Sequence, residues 1–331
     1  MTSTASPSSL QASGSVLASL QALGSALGRP TWVQGPGGNV SVKEDGVLWV
    51  KASGKRLMDV AYPGGHARVE LADATLALAG DGAADARVFA GTPRPSLETY
   101  FHALGPRVVA HTHAISVLLA ACSAEVEAEL ALTVVPYERP GRGLAVAVAR
   151  ARTSESAAQT VLLASHGLLV YAESTDEAIA TSRDVDARCC ALFGVSLSSF
   201  EDRLASYTAV EPVAALGGFA QVLPVRAHHD RYLFPDAVVY ASIARVGRAE
   251  VDQLPASLAE LGRPVVAADG ANRRVAFAQT REKLDSCVEV LAAHDWVEEI
   301  LTKRGTARYL DDDEPAKILD LPSEKYRMRH S

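Results

Sequence analysis

With 331 residues, 48% of them hydrophobic and 21% charged, the chain can bury a sizeable core and is not a disordered polymer. Its length suits one large domain or a domain with an extension. A formal net charge of −7 leaves no electrostatic footprint for nucleic acid or an anionic membrane.

Residues 1–9 are small and polar with no basic region, so they read as a frayed tail rather than a signal peptide. No apolar run approaches the ~18 residues of a membrane span. Four cysteines (Cys122, Cys189, Cys190, Cys287) show no CxxC spacing, which predicts reduced, buried thiols and a cytoplasmic setting. Leucines and Val16 at helical spacing predict a helix from Leu10 to Leu27, stopped by Gly28-Arg29-Pro30. A glycine-rich turn, Gly35 to Gly38, then leads into a strand; its backbone N–H groups can face an anion, with Asn39 and Ser41 as side-chain partners. Val47 to Lys51 is a second strand, closed by Ala52-Ser53-Gly54-Lys55, a small-residue turn that offers a hydroxyl beside a cation. Residues 56–90 carry no recognisable chemistry. Arg94 to Leu104 predicts a helix with Ser96 as N-cap and Glu98 in the first turn. Glu98 is either an ordinary helix-start acid or a carboxylate aimed at the strand that follows.

That strand is the apolar run Val108-Val109-Ala110. Residues two apart on a strand share a face, so His111 and His113 leave its end together as a chelate for a divalent metal, zinc above all. An isolated His-x-His is also compatible with one core and one surface histidine. Ile115 to Cys122 reads as an apolar helix, Val134 onward as a strand running into a turn, and 144–151 as helix. Thr160 to Tyr171 holds two apolar strands broken at Ser165-His166-Gly167, which exposes a third imidazole. A helix over 175–194 ends at Gly194. Beyond residue 205, Pro264–Gly270, Val275–Ala278 and a helix from Thr280 repeat this strand–turn–strand–helix order, with Asp269 in the place of His166. The adjacent His228 and His229 point to opposite faces, and the acidic run from Asp311 is a solvated surface.

Taken together, Gly38-Asn39-Val-Ser41, Ala52-Ser53-Gly54, Ser96-Leu97-Glu98, His111-Thr-His113 and His166-Gly167 resemble the class II aldolase/adducin family, over roughly residues 15–200. Leu48 to Gly54 and Arg94 to Glu98 are most similar to its long members, such as the aldolase half of rhamnulose-phosphate aldolase/dehydrogenase proteins. The resemblance implies an α/β fold with a mainly antiparallel central sheet flanked by helices. Residues 10–204 would form the metal domain, and 205–331 an α+β extension packed on it. It implies zinc, or another divalent ion such as Mn²⁺ or Co²⁺, held by His111, His113 and His166, with Glu98 as acid/base. Gly38, Asn39, Ser53, Gly54 and Ser96 would cradle a phosphate. Two departures bear on this: Leu97 stands where a serine often follows Ser96, and Tyr137, in a Pro-Tyr-x-x-Pro-Gly turn, is as readily a packing residue as a catalytic tyrosine. The implied activity is retro-aldol cleavage of a sugar, sugar acid or sugar phosphate through a metal-stabilised enediolate, in a homotetramer. The same site in the family also supports 4-epimerisation, dehydration and decarboxylation, and the adducin-like branch suggests a non-catalytic binding protein.

Overall fold

A computed structural model describes residues 14–79, 87–125, 130–154, 159–208, 212–215, 218–224, 231–245, 263–268 and 274–330. Within them, helix α1 (Gly14–Leu27) precedes strands β1 (Asn39–Glu44), β2 (Val47–Lys51) and β3 (His66–Glu70), then helices α2 (Leu71–Ala79) and α3 (Thr99–His102). There follow β4 (Val108–Thr112), α4 (Ile115–Ala121), β5 (Thr133–Val135), α5 (Arg142–Ser154), β6 (Thr160–Leu163), β7 (Gly167–Ala172) and α6 (Thr175–Phe193). These seven strands form one sheet in the order β3-β2-β1-β4-β7-β6-β5, antiparallel except for the β5–β6 pair.

The burial follows from the residues. The central strands β2, β4 and β7 are unbroken or nearly unbroken apolar runs and are buried along their whole length, whereas the edge strand β3 alternates. Side chains on the two faces of β4 enter different cores. Val108 and Ala110 face the cluster that holds Val16 and Leu20 of α1, Leu118 of α4 and Val185 of α6. Val109 faces a second cluster with Phe101, Leu144, Leu163 and Tyr171, under α3 and α5. His111 lies on the Val109 face, its ring edge-on to Phe101 at 5.3 Å. Helix α4 is buried throughout, which accounts for a sequence that is apolar except at Ser116, whose hydroxyl is bonded to Asp186.

After helix α7 (Leu197–Thr208) a second sheet begins with β8 (Pro212–Ala215) and β9 (Gly218–Leu223). Helix α8 (Pro235–Tyr240), β10 (Ile243–Arg245), β11 (Val265–Ala268), β12 (Arg274–Ala278) and the long helix α9 (Arg281–Arg304) follow, then α10 (Glu314–Asp320) and α11 (Pro322–His330). The five strands run β10-β11-β12-β9-β8. The units β11–β12–α9 and β6–β7–α6 share one element order, each an antiparallel pair followed by a capped helix. Ser174 Oγ accepts from the Glu177 N–H at 3.2 Å, and Thr280 Oγ1 from the Lys283 N–H at 3.2 Å. Both helices end at a left-handed glycine, Gly194 and Gly305. Helix α9 packs against α4, and Leu233, Val288 and Trp296 join the same core as α1 and α4.

One expectation is corrected. The helix read over Arg94 to Leu104 is only Thr99–His102, with Glu98 at its N-cap position and no side-chain cap. Lys51 O and Ala52 pair with the Pro95 and Ser96 backbone, which holds the preceding segment extended. Ser96 therefore does not cap that helix; its Oγ accepts weakly from the Glu98 N–H at 3.3 Å. The tail at 1–9, the start of the first helix at 10–13, His228, His229 and Asp269 lie outside the described residues. Cys122, Cys189 and Cys287 are free and buried as expected, while Cys190 is half-buried.

Two substitutions test these contacts. Arg274, 1% exposed, donates to Asp295 Oδ2 at 2.6 Å and ties β12 to α9. Asp295→Ala strands that buried cation and is expected to cost about 3–5 kcal/mol in chemical denaturation. At Gly167 an added Cβ would sit 2.4 Å from Thr112 O and 2.9 Å from His113 Cδ2. Gly167→Ala should therefore lower stability by about 1–3 kcal/mol, read by the same measurement.

Candidate metal centre and active site

The strand register brings the chemistry together. Asn39 on β1 pairs with His111 on β4, and His111 pairs with Leu169 on β7. His113 sits just past the end of β4, and His166 in the β6–β7 turn, where Ser165 takes a left-handed φ of 52°. One ligand nitrogen of each of the three imidazoles lies within 4.8 Å of the others, and all three side chains are buried. The glycine turn before β1 closes over them: a Cβ on Gly38, whose φ is +56°, would be 2.8 Å from His111 O.

The protons decide what these rings can do. His111 Nδ1 donates to the Leu168 carbonyl at 3.0 Å, so its Nε2 presents a lone pair. Burial, outweighing the neighbouring Glu98 carboxylate, lowers the His111 pKa to about 3 and keeps the ring neutral. His113 Nδ1 faces Asp236 Oδ2 at 3.1 Å, and its Nε2 stands 3.0 Å from His111 Nε2. His113 Nε2 is thus placed to donate to the bare His111 Nε2, and a cation held between the rings would need that proton on Nδ1, facing Asp236.

Glu98 completes the site. Its Oε2 accepts from Asn39 Nδ2 at 2.8 Å and lies 3.6 Å from His111 Nε2; its Oε1 is 3.1 Å from His166 Nε2. Burial disfavours the charged carboxyl, but His111 and His166 beside it outweigh that and hold its pKa well below the carboxylate range. Glu98 Oε1, His166 Nδ1 and Asp236 Oδ2 are buried without a hydrogen bond. Orphaned polar atoms of this kind cost about 1–3 kcal/mol each. Converging lone pairs and unsatisfied carboxylate oxygens fit a divalent cation with open coordination positions, and three nitrogens with one carboxylate suit zinc.

Of the positions read from the sequence, His111 lies 3.6 Å from Glu98, and Ser41 turns instead to His102. Gly38, Asn39, Ser53, Gly54 and Ser96 line one cavity with Glu98, His113 and His166. Asn39, however, spends its amide on Glu98 and, at 3.4 Å, on Ser96 Oγ. Leu97 lines the same cavity, and Tyr137 turns to Glu314, donating from its hydroxyl at 3.0 Å.

Four residues escaped the sequence reading. His102 Nε2 donates to Asn39 Oδ1, and its Nδ1 accepts from Ser41 Oγ at 2.8 Å, which orients the Asn39 amide toward Glu98. Lys51, 2% exposed at the end of β2, donates to Pro36 O at 2.9 Å and Lys55 O at 2.6 Å while lining the cavity. Burial, aided by the charge of Arg327, lowers its pKa to about 7. A lysine closing an apolar strand was a visible signal for this role. Asp236 and Arg327, both on the cavity wall, come from beyond residue 205, where nothing local marks them.

Among the described residues no helix is long and apolar enough to cross a membrane. The family model for the class II aldolase and adducin N-terminal domain matches residues 18–192. The protein named uncharacterized oxidoreductase YuxG from Bacillus subtilis (strain 168) is 30% identical over 168 residues, 42% of this chain and 24% of that protein. A fluorothreonine transaldolase of Streptantibioticus cattleyicolor is 35% identical over 155 residues, 45% of this chain and 21% of that protein. The chain thus matches about a quarter or less of the length of these two relatives. Among solved structures, the N-terminal class II aldolase domain of a conserved protein from Thermoplasma acidophilum is 27% identical, with a TM-score of 0.46, covering 55% of this chain and 94% of that one. The matched span is more than half of the chain and contains His111, His113, His166 and Glu98: the chain belongs to the class II aldolase and adducin family.

Proposed function

We propose that the protein is a metal-dependent aldolase that breaks the bond between the α- and β-carbons of a sugar, sugar acid or sugar phosphate, the β-hydroxyl losing its proton as the aldehyde leaves. The observation that carries this reading is the convergence of three buried imidazoles on a carboxylate whose Oε1 has no hydrogen bond. His111, His113 and His166 would hold the metal. Bound there, a divalent ion supplies Lewis-acid polarisation of a carbonyl and two positive charges. Glu98 takes or returns the proton on the carbon beside that carbonyl. The His102–Asn39 pair keeps its Oε2 occupied, so Oε1 is the oxygen that meets substrate.

Charge on the cavity wall supports an anionic substrate. Glu98 and Asp236 are offset by Lys51 and Arg327, so the charge of the metal is left over. Ser53, Ser96 and the Lys51 ammonium are the groups placed to receive a phosphate or carboxylate. The likeness to part of a fluorothreonine transaldolase supports aldol-type chemistry, since a transaldolase breaks and remakes a carbon–carbon bond beside a carbonyl. The retained ligands and acid/base argue against a purely adducin-like scaffold. Zinc as the metal, a homotetrameric assembly and a cytoplasmic setting belong to the same proposal.

A screen of ketose phosphates and sugar acids for aldehyde release, with and without added zinc, tests the reading. Release that is absent from every candidate, or indifferent to chelation, would overturn it. Glu98→Gln should keep the metal content of the wild type and slow turnover by about 10²–10⁴-fold, whereas His166→Ala should lose metal and activity together, as read by elemental analysis beside the assay. Lys51→Met should raise KM for an anionic substrate about tenfold or more with a smaller change in kcat, and steady-state kinetics would show it.

A further inference from the structure

Resting on the metal reading above, we propose that Asp236 is a positioning residue for the metal centre and that Arg327 acts through it. Both residues lie outside the span that matches the family. An imidazole that ligates through one nitrogen needs an acceptor for the N–H of the other, which sets its tautomer and orientation. For His111 that acceptor is the Leu168 carbonyl, part of the sheet itself. For His113 the acceptor within reach is a carboxylate from helix α8: Asp236 Oδ2, buried and otherwise without a hydrogen bond, stands 3.1 Å from His113 Nδ1.

The surroundings are shaped to hold that carboxylate. A Cβ on Gly37 would lie 2.7 Å from Asp236 Oδ2, so the glycine turn leaves room for it. Asp236 Oδ1 accepts from Arg327 Nη2 at 2.9 Å, and Arg327 Nη1 lies 3.4 Å from Glu324 Oε2. The Arg327 guanidinium also sits over the Tyr240 ring, 5.0 Å from its centroid. A line of groups, Glu324–Arg327–Asp236–His113, thus runs from helix α11 through α8 to the end of β4. A carboxylate partner makes an imidazole a stronger donor to a metal than a carbonyl partner does. The C-terminal segment thereby governs how tightly the centre holds its ion, though it contributes none of the three imidazoles.

The test uses the full chain stripped of metal, with Co²⁺ as the probe, its affinity read by competition with a chromophoric chelator and its visible absorption recorded. Asp236→Asn should weaken Co²⁺ binding by about 10–100-fold and alter the visible bands. Arg327→Met should weaken binding less, and the double variant should bind no more weakly than Asp236→Asn alone. Asp295→Ala, which destabilises the protein away from the site, should leave affinity and bands as in the wild type. Wild-type affinity and spectrum in Asp236→Asn would overturn the proposal. So would losses that simply add in the double variant, or equal changes in Asp295→Ala. If Asp236→Asn does not fold, Arg327→Met carries the test, and its binding Co²⁺ like the wild type overturns the proposal. A wild-type chain that binds no Co²⁺ or Zn²⁺ would instead overturn the metal reading itself.

Discussion

Two imidazole nitrogens 3.0 Å apart in a buried site are the constraint around which this structure is arranged. The Leu168 carbonyl holds the His111 proton on Nδ1, so His111 Nε2 is bare, while the His113 proton can sit on the Nε2 that faces it or on the Nδ1 that faces Asp236. A cation between the two rings requires the second arrangement, and burial opposes protonation of His111. The backbone keeps the rings there regardless. His111 belongs to a strand hydrogen-bonded on both sides, by β1 and β7, and the ring is packed against Phe101. His111 is thus fixed within the sheet, while His113 and His166 are carried on the ends of its strands, just past β4 and in the β6–β7 turn.

Charges around the centre are handled in pairs. Glu98 is held by Asn39, which is oriented by His102, which is oriented in turn by Ser41. Asp236 is held by Arg327, and Arg327 by Glu324. Each line keeps one carboxylate oxygen engaged and leaves the other, Glu98 Oε1 or Asp236 Oδ2, without a hydrogen bond. Such networks cost desolvation and return geometry, because the groups that remain unsatisfied are the ones a bound ion or substrate will meet. The core sheet provides the first line. The second exists only because α9, buried against α4, anchors the C-terminal segment on the core, where α8 and α11 can reach the cavity.

The local elements were legible because their signals are local. Apolar runs on β4, β6 and β7, the largely apolar α4 and the glycine stops of α6 and α9 all express burial or backbone preference within a few residues. The segment from Arg94 to Glu98 was misread as helix for a related reason. Its serine suits an N-cap and its acid a first helical turn, but the backbone of β2 pairs with it and holds it extended, and a ladder partner more than forty residues away leaves no trace in the local sequence. His102 was passed over because a histidine in a short helix looks ordinary until Asn39 is known to lie against it.

The sequence by itself brought His111, His113 and His166 forward as candidate metal ligands, from His-x-His at a strand end, His-Gly at a turn and the resemblance to the family. It also carried the acid at Glu98 and the five small or polar residues around the cavity, all within the span that marks the family. Only the tertiary structure decided which proton His111 keeps, because a tautomer depends on the acceptor that faces it, and that acceptor is the Leu168 carbonyl of β7. It likewise decided that Lys51 and Arg327 share one wall, although 276 positions separate their numbers. Contacts at such separation are set by how sheets and helices stack to bury apolar surface, and no spacing rule along the chain encodes that.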